Sequence, residues 1–206
     1  MSKIRVLLID DHAIVRMGLA SLLNTRKDLE VIAEASDGES GIKKAVALHP
    51  DVVIIDLMMP GLDGVETTRR LLRQQSDAKV LILTSYGSAD GIAHALESGA
   101  KGAIMKSADL QELIAAIKKV ANGGISVSSE IEQLISEDPP VPELSVRQYE
   151  ILHSVTRGLS NEDIAKQFGI SLQMVKEHMM ALFSKIGASN RAEAVAIALR
   201  KHLLKI

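Results

Sequence analysis

The sequence predicts a doubly wound α/β domain, built on a five-stranded parallel sheet, followed by a small all-α domain. Residues 1–122 alternate between short apolar runs and segments of helical period, which is typical of a parallel sheet with crossover helices. Residues 144–206 contain only segments of helical period. Between them, residues 123–143 contain five acidic residues, no Lys or Arg, and three prolines, which predicts a stiff, solvated connector.

Each of the five apolar runs in the first domain is predicted to be a strand. Near-continuous apolar sequence such as Val52-Val53-Ile54-Ile55 is typical of a sheet that is covered on both faces. After the fifth run, Asp109 is predicted to cap a helix with one apolar stripe. The predicted strands are Ile4–Ile9, Leu29–Ala35, Asp51–Asp56, Lys79–Thr84 and Gly102–Lys106.

The second domain is predicted to be a bundle of four helices. Ser160 and Ser171 are predicted N-caps, because a serine hydroxyl can accept a hydrogen bond from the first turn of a helix. Glycines at 158, 169 and 187 lie at or near the C-terminal ends, where a left-handed residue is common. The predicted helices are 146–157, 161–168, 171–186 and 191–204.

The amino-acid composition excludes or disfavours several kinds of function. The 206 residues contain no Cys, which excludes disulfides, zinc–thiolate sites and cysteine nucleophiles and favours a cytoplasmic location. No apolar run approaches the roughly 20 residues that span a bilayer, so we expect no membrane segment, and we expect no secretory leader. Only four aromatic residues occur, which disfavours base stacking on single-stranded nucleic acid. Residues 144–206 contain nine basic and five acidic residues, so their net charge of +4 is modest.

Acidic residues lie at the carboxyl ends of the first and third predicted strands. In an open parallel sheet, binding and catalytic sites form at these ends of the strands. Asp10 and Asp11 follow the first strand, and Asp56 ends the third. If these strands are neighbours, the three carboxylates converge and must share a proton or a divalent cation. Carboxylate oxygens indicate a hard cation such as Mg²⁺. We interpret His12 as an exposed residue of the first helical turn, because no second His stands at ligand spacing.

The residues at this edge of the sheet could also take part in a reaction, in addition to binding a cation. Asp56 precedes a loop and is expected to be reachable, so its carboxylate, beside a metal ion and an ammonium group, can attack a phosphoryl donor to form an acyl phosphate. Thr84 and Lys106 end the fourth and fifth strands and are expected to contact the phosphoryl oxygens.

Residues 1–122 resemble the receiver domain of two-component response regulators, which has a flavodoxin-like fold. The resemblance depends on the paired acids after the first strand, on Asp56 before Met-Met-Pro-Gly-Leu-Asp-Gly, and on Thr84 and Lys106. It implies that Asp56 is the phosphoacceptor, that Thr84 and Lys106 assist it, and that a sensor histidine kinase is the donor.

The same resemblance implies a ligand set for Mg²⁺. Asp11 and Asp56 would ligate the ion directly together with the Met58 carbonyl, and Asp10 would act mainly through water. The sequence departs from the family at two positions: Ala103 replaces the usual aromatic residue, and Ser107 replaces a common proline. Tyr86 is a candidate to fill the space beside Ala103, with an ordinary half-buried tyrosine as the alternative.

The second domain contains the spacing of a helix-turn-helix. A short predicted helix, 161–168, is followed by Gly169-Ile170 and by a longer helix that Ser171 opens. In the longer helix, a stripe of apolar residues is predicted to be buried, which leaves Lys176, Glu177 and Met180 on the exposed face. From spacing alone, a DNA-binding unit and a helical hairpin for dimerisation are about equally supported.

Longer motifs resemble the LuxR-type DNA-binding domain, and the whole chain resembles NarL/FixJ-type response regulators. The motifs are Leu-Ser-Val-Arg-Gln from residue 144, Gly-Leu-Ser-Asn-Glu-Asp-Ile-Ala from 158, Val-Lys-Glu-His from 175 and Ser-Asn-Arg-Ala-Glu-Ala-Val from 189. The resemblance implies that Lys176, Glu177 and Met180 face the groove of double-stranded DNA, with Lys166 and Arg191 as phosphate contacts. Here Met174 replaces a common threonine.

Together these features predict a response regulator in which phosphorylation of Asp56 controls DNA binding and transcription, as a homodimer when phosphorylated or bound to DNA. We do not expect an enzyme, because a Mg²⁺-dependent phosphatase would need a second acid and a substrate cap that the sequence lacks. The other alternative is a phosphorylation-controlled adaptor, in which the unusual face of Met174, Glu177 and Met180 contacts another protein. Since glutamate repels phosphates, we expect few phosphate contacts and a modest salt dependence.

Overall fold

The computed structural model describes residues 3–85, 89–142, 144–201 and 203–204. The chain divides into two compact units between Pro139 and Pro140. Tyr86, the candidate neighbour of Ala103, lies outside the described residues. Within the described ranges, no helix is both long enough and apolar enough to cross a membrane.

The first unit is a parallel sheet in the order β2-β1-β3-β4-β5-β6. The five predicted strands all form, and their ends differ from the predicted ones by at most one residue. Since β1 lies between β2 and β3, the strand order reverses beside β1, as it does in a doubly wound sheet. The strands are β1 (Ile4–Ile9), β2 (Leu29–Ala35), β3 (Val52–Asp56), β4 (Val80–Thr84), β5 (Gly102–Met105) and β6 (Ser126–Val127).

Helices cover both faces of the sheet. Because successive side chains of a strand point to opposite faces, Leu7 and Ile9 enter one core cluster and Val6 and Leu8 enter the other. The first unit therefore has a two-sided core, as its near-continuous apolar strands predict. Its helices are α1 (Ala13–Asn24), α2 (Gly38–Leu48), α3 (Gly64–Gln74), α4 (Ala89–Glu97), α5 (Leu110–Ala121) and α6 (Ser129–Glu137).

Two predictions for this region are wrong. The sheet has a sixth strand, because the two residues of β6 pair with β5 and are too few to show a strand period. Residues 123–143 are also not a solvated connector throughout, since α6 packs the fully buried Ile131 against the core with Leu134 and Ile135 beside it. Spacings of three and four residues place these three side chains on one helix face, and the acidic residues around them masked that pattern.

The second unit contains helices at the four predicted positions, but the last one ends at Arg200 rather than at the predicted residue 204. They are α7 (Val146–Thr156), α8 (Asn161–Phe168), α9 (Leu172–Ile186) and α10 (Arg191–Arg200). The hydroxyls of Ser160 and Ser171 accept hydrogen bonds from the amides of Asp163 and Met174, as expected of N-caps. Gly169 ends α8 with φ +63°, a conformation that costs glycine little, and this allows the tight turn into α9. The stripe of α9 that faces the core is the predicted one: Val175, Met179, Leu182 and Ile186.

Candidate functional site

The register of the sheet brings the acidic residues together. Ile9 of β1 pairs with Ile55 of β3, so the next residues, Asp10 and Asp56, lie side by side where the two strands end. Both carboxylates are almost fully buried, at 4% and 3% exposure. Two carboxylates at this proximity repel each other unless a cation or a proton offsets their charge.

Lys106 supplies one positive charge to this pair. It directly follows β5, and its amide donates a hydrogen bond of 2.7 Å to the carbonyl of Thr84. Its Nζ lies 2.7 Å from Oδ2 of Asp10 and 2.9 Å from Oδ2 of Asp56. The lysine therefore bridges the two carboxylates.

The two sides of this bridge have shifted pKa values. Burial raises the pKa of the Asp56 carboxyl above its usual range, and the nearby charge of Asp10 adds to this effect while Lys106 opposes it. Burial works against the charged form of Lys106, but its hydrogen bonds to Asp10 and Asp56 and their negative charges outweigh burial and raise its pKa. Lys106 is therefore held as a cation beside a carboxylate that is costly to keep ionised.

Thr84 ends β4, between the strands that position Asp56 and Lys106. The residue is completely buried, and its hydroxyl has no hydrogen-bond partner among the residues that the structure describes. A buried hydroxyl without a partner costs free energy, so it marks a position where a ligand oxygen would be stabilised. This is the role that the sequence predicts for Thr84 toward a phosphoryl group.

Asp11 and His12 extend the cluster toward solvent. Oxygens of Asp10, Asp11 and Asp56 and one ring nitrogen of His12 all lie within 4.8 Å of one another. Three carboxylates and one ammonium leave a net charge of −2, and oxygen donors suit Mg²⁺, so the donor set fits this ion. The amide of Met58 lies 3.4 Å from Oδ1 of Asp56, which places the start of the β3–α3 loop beside the acids.

His12 is exposed, as expected, with 64% of its side chain accessible. Its position among the acids was not expected: Nδ1 lies 2.9 Å from Oδ1 of Asp11 and 3.5 Å from Oδ1 of Asp10. The count of histidines at ligand spacing missed this arrangement, because the neighbours of the ring are the carboxylates of the two preceding residues rather than a second histidine.

Two further residues position the acids and gave no signal in the sequence pattern. Arg16 donates a hydrogen bond of 2.6 Å from Nη1 to the carbonyl of Asp10 and pairs with Glu34 at 3.3 Å. Gly64 begins α3 against the backbone of Asp56, where an added Cβ would lie only 2.5 Å from the Asp56 carbonyl oxygen. Since that neighbour is backbone, a larger residue at position 64 would displace the end of β3.

We expect Lys106→Met to lower the free energy of unfolding by about 3 kcal/mol, because it leaves two buried carboxylates without their cation. Mg²⁺ should restore more stability to this variant than it adds to the wild type, since the ion neutralises the same carboxylates. Urea denaturation with and without MgCl₂ measures both effects. Lys101→Met, at an exposed lysine just before β5, is the matched control. An equal loss in the control, or no Mg²⁺ dependence, would contradict the prediction.

The second unit presents a helix with one buried and one exposed face. Lys176, Glu177 and Met180 are all exposed on α9, as predicted, and Met180 is 72% exposed. Oε1 of Glu177 accepts a hydrogen bond of 3.0 Å from the side-chain Nε2 of Gln173, one turn earlier. This face therefore combines one cation, one oriented carboxylate and an apolar side chain.

The two predicted phosphate contacts differ in environment. Lys166 is exposed on α8. Arg191 is half-buried, and its Nη2 donates to the carbonyl oxygens of Val155 and Leu159 at 3.2 and 2.5 Å. Arg191 therefore ties the start of α10 to the end of α7, and any phosphate contact would have to come from its other nitrogens.

The fold and the site define a class of protein: a receiver-type α/β unit with an acidic pocket, joined to a helix-turn-helix unit. Residues 6–118 match the model of the response regulator receiver domain, and residues 142–198 match that of the bacterial regulatory proteins of the luxR family. The chain belongs to the two-component response regulators with a LuxR-type DNA-binding domain.

Similar proteins span the whole chain. The transcriptional regulatory protein LiaR of Bacillus subtilis is 38% identical over 98% of this chain and 99% of its own length. A nitrate/nitrite response regulator protein homolog of Haemophilus influenzae is 36% identical over 95% of this chain and 96% of its own length. The crystal structure of the response regulator ChrA, from a heme-sensing two-component system, is 39% identical with a TM-score of 0.59 and covers 99% of this chain and 100% of its own.

The fold also extends to more distant structures. RcsB of Salmonella enterica serovar Typhimurium, solved bound to a promoter, is 23% identical with a TM-score of 0.69 and covers 95% of this chain and 98% of its own. At this identity the likeness is one of fold.

Proposed function

We propose that Asp56 is the phosphoacceptor of this response regulator, with a sensor histidine kinase as donor. The observation that carries the proposal is the buried Asp56 carboxylate, with the Lys106 ammonium 2.9 Å away and the hydroxyl of Thr84, which has no partner among the described residues, on the strand between them. These groups supply a nucleophile, a cation and a hydrogen-bond donor at one edge of the sheet, which suits the transfer of a phosphoryl group.

In this proposal, Asp10, Asp11, Asp56 and the Met58 carbonyl hold a Mg²⁺ ion. When bound, the ion offsets the charge on the transferring phosphoryl oxygens. An oxygen of Asp56 forms the new bond to phosphorus while the bond to the donor nitrogen of the kinase histidine breaks, and that nitrogen leaves with the electron pair. Lys106 then shifts from the Asp56 carboxylate to the phosphoryl oxygens, because formation of the acyl phosphate removes the negative charge of Asp56 and adds about −2 on the phosphoryl group.

The output that we propose is sequence-specific binding to double-stranded DNA in the cytoplasm. Phosphorylation biases an equilibrium between two states of the receiver, and the favoured state forms a symmetric homodimer. A symmetric dimer matches two half-sites about 34 Å apart, one turn of the duplex. Lys176, Glu177 and Met180 contact the groove in this proposal, and Lys166 contacts a phosphate.

Lys176→Ala tests this interface. We expect it to weaken binding to a selected duplex about tenfold. The slope of log affinity against log salt concentration should fall by about one, because one cation no longer contacts the DNA. Fluorescence anisotropy at several salt concentrations measures both quantities. Lys27→Ala, at an exposed lysine of the first unit, is the matched control.

One observation favours the adaptor as a second candidate: Met180 and Met174 of α9 are 72% and 45% exposed, and exposed methionines suit a protein partner as well as a thymine methyl group. Selection from random duplex DNA, with and without a small phosphodonor and Mg²⁺, separates the candidates. Enrichment of one sequence supports DNA binding. No enrichment under either condition, with the phosphoryl group incorporated, supports the adaptor.

A further inference from the structure

We propose that His12 is a further protein ligand of the cation site, through Nδ1, and that it raises the affinity of the site for a borderline cation such as Zn²⁺. The proposal rests on the magnesium site proposed above and assigns it a nitrogen donor in addition to the oxygens. It follows from the position of the His12 ring among the acids rather than from the acids alone.

The distances around His12 suit ligands that share one ion. A cation with bonds of about 2.0–2.2 Å keeps neighbouring ligand atoms roughly 3.0–3.5 Å apart. Nδ1 of His12 lies 2.9 Å from Oδ1 of Asp11 and 3.5 Å from Oδ1 of Asp10. The ring and the two carboxylates therefore already have nearly the spacing of one coordination shell.

The backbone places His12 beside the acids. His12 is the residue before α1, with extended φ and ψ of −81° and 101°, and its amide donates a hydrogen bond of 2.8 Å to Oδ1 of Asp10. This bond fixes the start of the helix against the end of β1. With its backbone fixed, the side chain needs only its own rotation to stay with the acids or to move away.

Lys106 and His12 contact different oxygens of the acidic cluster. Nζ of Lys106 contacts Oδ2 of both Asp10 and Asp56. The Oδ1 atoms of Asp10 and Asp11 are the ones that face the imidazole. The side of the cluster opposite the ammonium therefore presents a mixture of oxygen and nitrogen donors.

The chemistry of the donor atom determines which cation binds more tightly because of His12. A neutral imidazole adds a lone pair without adding charge, and nitrogen donors stabilise Zn²⁺ much more than Mg²⁺. Because 64% of the His12 side chain is accessible, the ring has room to turn toward a bound cation or away from an ion that prefers oxygen. We therefore expect His12 to matter for Zn²⁺ and hardly at all for Mg²⁺.

The test compares His12→Ala with the wild type by isothermal titration with ZnCl₂ and, separately, with MgCl₂. We expect the variant to bind Zn²⁺ about tenfold or more weakly and Mg²⁺ within about twofold of the wild type. His153→Ala is the matched control, because His153 is exposed on α7 in the other unit. Nitrogen NMR of the imidazoles gives a second readout, in which Zn²⁺ shifts Nδ1 of His12 and Mg²⁺ does not.

Unchanged Zn²⁺ affinity in His12→Ala, or an Nδ1 resonance that Zn²⁺ does not move, would overturn the inference and leave His12 only as a neighbour of the Asp11 carboxylate. Mg²⁺ binding by the wild type in that case would leave the proposed function intact. If the wild type binds neither ion, the proposed cation site fails, and this inference fails with it.

Discussion

Asp56→Asn is expected to lower phosphoryl incorporation from acetyl phosphate and Mg²⁺ by more than about 10³-fold, to the level of protein without donor. The physical reason is that an amide has no anionic oxygen to attack phosphorus, while its size keeps the buried site filled. Mass spectrometry of the intact protein measures the incorporation. The same variant should lose any increase in DNA affinity that the donor causes in the wild type, because the switch has no acceptor.

Asp63→Asn is the matched control for this experiment. Asp63 lies seven residues further along the chain and caps α3, where its carboxylate accepts a hydrogen bond of 2.8 Å from the amide of Glu66. Asparagine is an equally good N-cap, so this variant should fold and accept the phosphoryl group at the wild-type rate. Incorporation that persists in Asp56→Asn would refute the assignment of the acceptor.

The strands could be predicted closely from the sequence because their apolar residues satisfy two conditions at once. Val52 to Ile55 have high β-propensity, and each side chain enters a core on one face or the other. The β-propensity of these residues and their burial therefore predict the same strand. The position of Asp56 follows from the same run, since the strand ends where the apolar residues do.

The remaining features depend on contacts that lie far apart in the sequence. Arg191 is a residue type that commonly contacts phosphates. Here its guanidinium instead donates hydrogen bonds to the carbonyls of Val155 and Leu159, which lie more than 30 residues earlier in the sequence. The Asp56 carboxylate meets Asp10, Asp11 and His12 only because β1 and β3 are neighbours. Sequence spacing gives no information about either contact, because both depend on which elements pack together.

The α6 region was mispredicted for a different reason. Composition averages over a segment, and the acids and prolines of 123–143 outweighed its few apolar residues. Folding depends on where the apolar residues lie: Ile131, Leu134 and Ile135 share one face, and burying that face is enough to place α6 on the sheet. A search for helical period inside the acidic segment would have found it.

Leu182→Ala is expected to destabilise the second unit by about 3 kcal/mol, because it opens a cavity in the core of a small helical bundle. Leu182 is completely buried on the inner stripe of α9, and a unit of this size has only about 5 kcal/mol of stability to lose. Its thermal transition should therefore fall by roughly 12–24 °C, and DNA affinity should fall with it near the new midpoint.

The same substitution tests whether the two units fold independently. Asp56, Thr84 and Lys106 all lie in the first unit, so phosphoryl incorporation into Leu182→Ala should match the wild type even where the second unit is unfolded. Calorimetry and incorporation on the full chain measure the two properties together. Leu199→Ala removes the same atoms from a leucine that is 62% exposed, and it should change stability by less than about 0.5 kcal/mol. Equal losses in both variants, or loss of incorporation in Leu182→Ala, would contradict this division of the chain.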